Sequence, residues 1–299
     1  MLFAEFAINP SHISSVAHLA LLKTNFDFSR GALISAFPNS WYSKVFENVN
    51  QHLSDKDKAR ATELLQGIKS YSLVKSERDY AGDDWAEAAL VAHQQSPFYC
   101  IVGALDHKPP EYLSSFEQLF TFDFEKVGSV DVLRQPSALV EPLGPLLRGS
   151  AKLRLVDPYL CPSNKYLSDV INALTNNRGE KKFEIEIYSD EKRAEAGFED
   201  HFSRLRNQLP PNVTLSWFLL IDDGTAKLHQ RLFFTEKGGV IFDRGFIVPN
   251  PHEQRQVPTS LRTMTKTQID SANRDYNNTQ PFLDCKLRLS SIQTEIGGQ

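Results

Sequence analysis

The sequence predicts an α/β protein, with a C-terminal mixed sheet flanked by helices over residues 137–299 and an α+β half over residues 1–136. Three observations predict it. Between about residues 151 and 221, apolar runs of strand character alternate with amphipathic helical segments. A hairpin pattern with a glycine-bearing turn follows at 228–248. The string Glu125–Ser137 mixes Gly, Pro and charge, and it separates this regular stretch from a less regular one.

Each element has its own signal. Met1–Ile8 alternates as a strand, and Pro10 ends it. Ser40–Leu53 carries Trp41, Val45, Phe46, Val49 and Leu53 at helical spacing. Ser54 caps a second helix that has Asp55 and Asp57 in its first turn and runs to about Ile68. A third, Asp84–Gln95, carries Trp85, Ala88, Leu90 and Val91; Ser96–Leu105 then reads as a buried strand. In the second half, Ser137–Ser150 is a short helix broken by Pro142 and Pro145, and Ala151–Leu160 is a strand ending in Asp157-Pro158. Asn164–Asn177 is a helix with Leu167, Val170, Ile171 and Leu174 on one face. Lys181–Asp190 alternates as a strand, and Glu191–Leu209 is a helix stopped by Pro210 and Pro211. Val213–Ile221 is a strand, and the hairpin turns at Lys237-Gly238-Gly239. Residues 258–280 are polar and allow a helix; Pro281–Ile292 is the last strand.

Composition narrows the function. With 299 residues the chain has room for two ordinary domains, and 41% hydrophobic residues, 20 of them Phe, supply a core. A net charge of -4 argues against attraction of the whole protein to nucleic acid or membrane. The acidic excess lies in residues 1–150, which directs any anion site to the second half. Cys100, Cys161 and Cys285 are widely spaced with no CxxC pair, so they read as free thiols of a reducing cytosol, not a zinc knot. There is no basic leader and no apolar window of membrane-spanning length, so a cytoplasmic protein without a transmembrane segment is expected. No metal or cofactor is expected.

The chemistry concentrates between Leu228 and Phe246. His229, Arg231 and Glu236 form H-x-R followed by four residues and an acid. On a strand, 229 and 231 would project from one face. An imidazole can attack phosphorus or shuttle a proton near neutral pH. A guanidinium can fork onto two phosphate oxygens and stabilise charge developing on them. Glu236 can orient a histidine at a neighbouring site or bind back to the backbone near the turn. Arg244 and Asp157 are further candidate phosphate holders; a carboxylate at the carboxyl end of a strand is where open α/β sheets place ligands.

These residues resemble the phospholipase D-like superfamily, whose members carry H-x-K-x4-D on a strand before a glycine-containing turn. Here Arg231 stands for the lysine and Glu236 for the aspartate. The similarity is closer to the single-motif branch seen as the C-terminal domain of some microtubule-interacting-and-trafficking proteins and in small prokaryotic relatives. Those read H-D-R, a turn, then G-R-G; the matching residues are His229-Gln230-Arg231 and Asp243-Arg244-Gly245. The resemblance covers roughly residues 137–290. It implies a metal-independent phosphodiesterase, in which one histidine attacks phosphorus and a second protonates the leaving oxygen. This chain has one motif: His107-Lys108 lacks the spacer, and His201 sits in a helix as H-x-x-R. Catalysis would therefore need two copies of His229 facing each other in a homodimer. The trafficking branch binds phosphoinositide without cleaving it, so a degenerate phosphate-binding or protein-interaction module stands as the alternative. The implied partners are a phosphate-bearing ligand (nucleic acid or lipid headgroup), a second copy of the chain, and a larger assembly, such as a prokaryotic defence complex, docked through residues 1–136.

Plainer readings stand beside these. His229-x-Arg231 can be a surface pair on an edge strand, Asp157-Pro158 a turn device and Arg244 a solvated turn residue. Glu184 and Glu186 read as the polar face of a strand, and Lys181-Lys182 and Lys192-Arg193 as surface pairs. His201 and Arg204 read as a surface or capping pair, and Trp41, Tyr42 and Phe46 as core instead of base-stacking groups.

Overall fold

The chain divides between Ser129 and Val130, ahead of the 136/137 division that composition predicts. The computed structural model describes residues 1–103, 112–113, 115–176, 181–224, 227–277, 283 and 285–290. No helix among them is long and apolar enough to cross a membrane.

In the first unit, β1 (Ala4–Ile8), β2 (Ala32–Ala36), β3 (Leu73–Lys75), β4 (Cys100–Val102) and β5 (Tyr112–Leu113) form one sheet in the order β3-β2-β1-β4-β5. Every pairing between these strands is parallel, a more regular arrangement than the expected α+β half. Side chains of β1 alternate between two cores: Ala4, Phe6 and Ile8 pack with α1 (Val16–Asn25), α2 (Trp41–His52) and α3 (Asp55–Tyr71), whereas Ala7 packs with α4 (Trp85–Gln95). The caps match the sequence signals, Ser54 accepting from Asp57 N and Asp84 from Glu87 N. Trp41 is buried and donates through Nε1 to Ile8 O at 2.7 Å. Phe46, expected in the core with it, is exposed on the outer side of α2. Both α1 and β2 escape the sequence reading. The helix Val16–Asn25 shows little segregation of apolar and polar residues, and Ala32–Ala36 is a short, wholly buried run.

The second unit has the strand order β13-β9-β8-β7-β10-β11-β12-β6. Its centre is parallel: β7 (Lys152–Val156), β8 (Phe183–Asp190) and β9 (Val213–Leu220). Helices α7 (Leu167–Thr175) and α8 (Phe198–Asn207) connect them. The apolar face of α7 is the one its spacing predicts, with Leu167, Val170, Ile171 and Leu174 buried. Helix α8 starts later than expected, because Glu191–Arg193 form a separate 3₁₀ turn capped by Asp190. Phe198 and Phe202 of α8 meet the buried Trp217 edge to face. The hairpin β10 (Leu232–Phe234) and β11 (Gly239–Phe242) pairs antiparallel to β7, and β12 (Thr259–Thr263) extends it. Strand β6 (Ser129–Val132) forms the edge beyond β12, which is why the division falls early. Two short helices, α5 (Pro136–Val140) and α6 (Gly144–Arg148), replace the single one expected at 137–150, and α9 (His252–Arg255) precedes β12. The polar stretch 258–280 holds both β12 and α10 (Lys266–Asp275), and β13 (Cys285–Ser290) pairs antiparallel with β9.

One face of the sheet buries Val156, Tyr188, Phe218, Leu232 and Phe234 with Ile269 and Ala272 of α10 and with Tyr276, which follows it. That cover corrects the reading of Glu186 as solvated. Glu186 is fully buried, with Lys152 Nζ at 2.7 Å, Arg154 Nε at 3.0 Å and the Tyr188 hydroxyl at 3.1 Å. Glu184 keeps its solvated position, paired with Lys152 at 3.4 Å.

Candidate arginine-lined anion site

The carboxyl ends of β7 and β8 share an edge of the sheet with the start of β10 and the end of β11. Leu232 lies opposite Val156, and Arg231 O accepts from Phe242 N at 2.9 Å. Ligands of open α/β sheets gather at such an edge.

Arg231 leaves the chain just before β10. Its Nη1 donates to Asp243 O at 2.8 Å, and its guanidinium stands over the Tyr159 ring at 5.2 Å. Arg193 covers the same ring at 4.9 Å, so one aromatic side chain braces two cations. Arg134, from the segment after β6, reaches in and donates through Nη2 to Ile247 O at 2.9 Å. Arg244, in the turn after β11, completes the set; its Nε lies 3.8 Å from Asp243 Oδ2, both side chains being largely exposed. Arg134, Arg193, Arg231 and Arg244 line one hollow of about 410 Å³ together with Asp157 and Glu195.

Asp157 is the fixed point of this edge. It is 1% exposed, and its carboxylate accepts from Tyr159 N at 3.0 Å and from Phe246 N at 3.1 Å. Burial pushes its pKa up, against the pull of those two amides and of Arg231 and Arg134. The Phe246 bond requires the chain to pass Asp157 closely at Gly245. That residue sits at φ +73°, where a Cβ would collide with Asp157 Oδ2 and stand 2.8 Å from Arg231 Cδ. The Asp-Arg-Gly string is thus a packing requirement as well as a source of charge.

Asp157 was expected among the phosphate holders. Its buried carboxylate instead turns to backbone amides and faces arginines, so its role is to position the walls. Arg134 is the most constrained wall. Its Nε is buried with no acceptor among the described residues. Burial, Arg244 and Arg231 all lower its pKa, and Asp157 only partly offsets them.

His229 is not on a strand. It ends a short 3₁₀ turn, Lys227–His229, and β10 begins at Leu232. The same-face argument for 229 and 231 therefore fails, because the backbone there is not extended. Even so, both residues line a second hollow of about 510 Å³, with Asp243, Ser260, Arg262 and Gln268. The His229 side chain is 57% exposed, and its Nε2 lies 3.6 Å from Asp222 Oδ2. Asp222 lies just beyond β9. Glu236 itself sits in the turn at the far end of the hairpin, beyond the Phe234–Gly239 pair and away from His229.

Arg231 belongs to both hollows; Arg244 lines the arginine hollow as expected. Arg134 and Arg193 escaped the sequence reading. Arg193 passed for a surface cation because its turn looks like the start of a helix, and no local pattern ties Arg134 to a strand that starts about a hundred residues later. His107 and Lys108 lie outside the described residues. Cys100 and Cys161 are buried. Among the described residues no group of three or more His, Cys, Asp or Glu is placed to hold a metal ion.

No family model matches this chain, and no curated protein matches it. Among solved structures it is similar to an archaeal chromatin protein, TrmBL2, whose structure is described as showing a novel mode of DNA binding. Identity is 11%, 82% of each chain is covered, and the TM-score is 0.29. At that score the likeness carries no argument about fold or site.

Proposed function

We propose that the second unit is a phosphate-binding module built on a phospholipase D-like plan, gripping its ligand between Arg134, Arg193, Arg231 and Arg244. The observation that carries this reading is Arg134. Arg134 lines the hollow, and burial together with the charges of Arg244 and Arg231 disfavours its guanidinium, a cost that an anion in the hollow offsets. The test is calorimetric titration of the full chain with inorganic phosphate at low salt. Binding is expected, and Arg231→Gln should weaken it by about tenfold or more, since a hydrogen bond to a charged group is worth about 1.5–3 kcal/mol. Absence of phosphate binding by the native chain overturns the reading.

A second reading, metal-independent phosphodiester cleavage by two copies of His229 in a homodimer, is favoured by one observation: Asp222 stands 3.6 Å from the imidazole and can fix its orientation. Hydrolysis of bis(p-nitrophenyl) phosphate tests it. Activity should survive EDTA and fall by at least about 10²–10⁴-fold in His229→Ala, the share that proton transfer by the imidazole supplies. Asp222→Asn should lower it as well. Activity that persists in His229→Ala, or a strictly monomeric chain in sedimentation equilibrium that still hydrolyses, removes this reading.

A further inference from the structure

We infer that the arginine hollow is built for a doubly charged terminal phosphate, that of a phosphomonoester or of inorganic phosphate, and not for the singly charged bridging phosphate of a diester. The inference rests on the phosphate-binding reading of the same hollow and narrows it to one ligand class.

Charge is the first argument. Four guanidiniums line the hollow against two carboxylates, Asp157 and Glu195. Asp157 is buried beneath the walls and faces Arg231 and Arg134. Glu195 is exposed at the rim, where Ser163 Oγ approaches it at 3.4 Å. Two cationic charges are left without a matching carboxylate in the hollow. Asp243 takes up little of that excess, being 3.8 Å from Arg244 and exposed to solvent. A phosphomonoester carries close to two negative charges near neutral pH, whereas a diester carries one.

Geometry is the second. The guanidiniums enter from four separate segments: after β6, after β8, before β10 and after β11. They surround a ligand from several sides instead of lining a track along it. A terminal phosphate offers three oxygens to such a ring, and a diester offers two. Tyr159 holds Arg193 and Arg231 over its ring at 4.9 and 5.2 Å, and Ile247 O holds Arg134 at 2.9 Å. Three of the four donors are therefore placed before a ligand arrives, which lowers the ordering cost of binding.

The test is calorimetric titration of the full chain with matched pairs: glycerol 3-phosphate against glycerophosphocholine, and a nucleoside 5′-monophosphate against its 3′,5′-cyclic diester. The two pairs separate a polyol carrier from a nucleoside carrier. At pH 7.5 and low salt the monoester of at least one pair is expected to bind about tenfold more tightly than its diester, the effect of one further charge held at a partly screened contact. Arg193→Gln should narrow that ratio. Glu195→Gln should tighten monoester binding several-fold, a gain that misfolding cannot produce. Equal affinities within both pairs, or no gain in Glu195→Gln, overturn the inference while phosphate binding stands. If none of the four ligands and no inorganic phosphate binds, the phosphate-binding reading itself is lost.

Discussion

Replacing Gly245 by alanine separates two costs that are usually confounded. Gly245 has φ +73°, and its missing side chain leaves room for Asp157 Oδ2 and for Arg231 Cδ at 2.8 Å from a built Cβ. Gly224, in the same unit, has φ +80°, with nothing within 4 Å of its built Cβ among the described residues. Alanine at Gly224 bears only the left-handed backbone penalty, about 1 kcal/mol. Alanine at Gly245 bears that and a collision with a carboxylate that two backbone amides hold in place. Forced repacking adds about 2 kcal/mol, for a total of about 3 kcal/mol. Urea denaturation followed by circular dichroism should show the second unit of Gly245→Ala unfolding well before that of Gly224→Ala. Phosphate affinity should fall with it, because Arg231 is the other neighbour that has to move. Equal midpoints for the two variants would refute the reasoning that Asp157 and Arg231 pin this turn.

Glu186→Gln should destabilise the second unit by about 3 kcal/mol in the same assay, since it leaves Lys152 and Arg154 facing a neutral group in a closed site; a change under about 0.5 kcal/mol would sink that account. Asp157 has a folded pKa above its ordinary 3.8. Its stabilising share is therefore present below the unfolded value and is lost as pH rises through the raised folded one. Stability measured from pH 4 upward should show this loss, and Asp157→Asn should flatten it; an unchanged profile in the variant would show that another group titrates. Tyr159→Leu should lower phosphate affinity about fivefold by freeing Arg193 and Arg231, from about 0.5–1 kcal/mol for each exposed ring–cation contact. Because Tyr159 is 38% exposed, the urea midpoint should barely move; a large drop in stability without a change in affinity would contradict the bracing role.

Much of the fold was legible because burial wrote it into the spacing. Helix α7 and strands β7, β8 and β9 each carry a regular apolar pattern, and parallel pairing follows from their alternation. Strand β12 was not legible: Thr259–Thr263 buries only alternate positions and reads as polar. Glu186 looked like any strand carboxylate, since the segment that covers it comes more than eighty residues later. The site was half legible. Arg231, Arg244 and Asp157 sit beside recognisable turns, but Asp222, the carboxylate 3.6 Å from His229, was not singled out. The helical turn before β10 brings the imidazole toward Asp222, a residue outside the string that runs from His229 to Glu236. Arg134 reaches its place through a carbonyl 113 residues away, a distance across which no sequence periodicity speaks.

The arginine ring is assembled from segments spread between residues 134 and 244, so no fragment of the unit can hold it. Its formation requires the sheet to have closed from the edge strand to the hairpin, a set of contacts with large loop-closure cost. An anion resting there consequently binds the finished architecture alone, and mass action raises the stability of the entire unit, not of one loop. Slower proteolysis in its presence would extend evenly across all the strands that supply the ring, making occupancy a gauge of whether folding has run to completion.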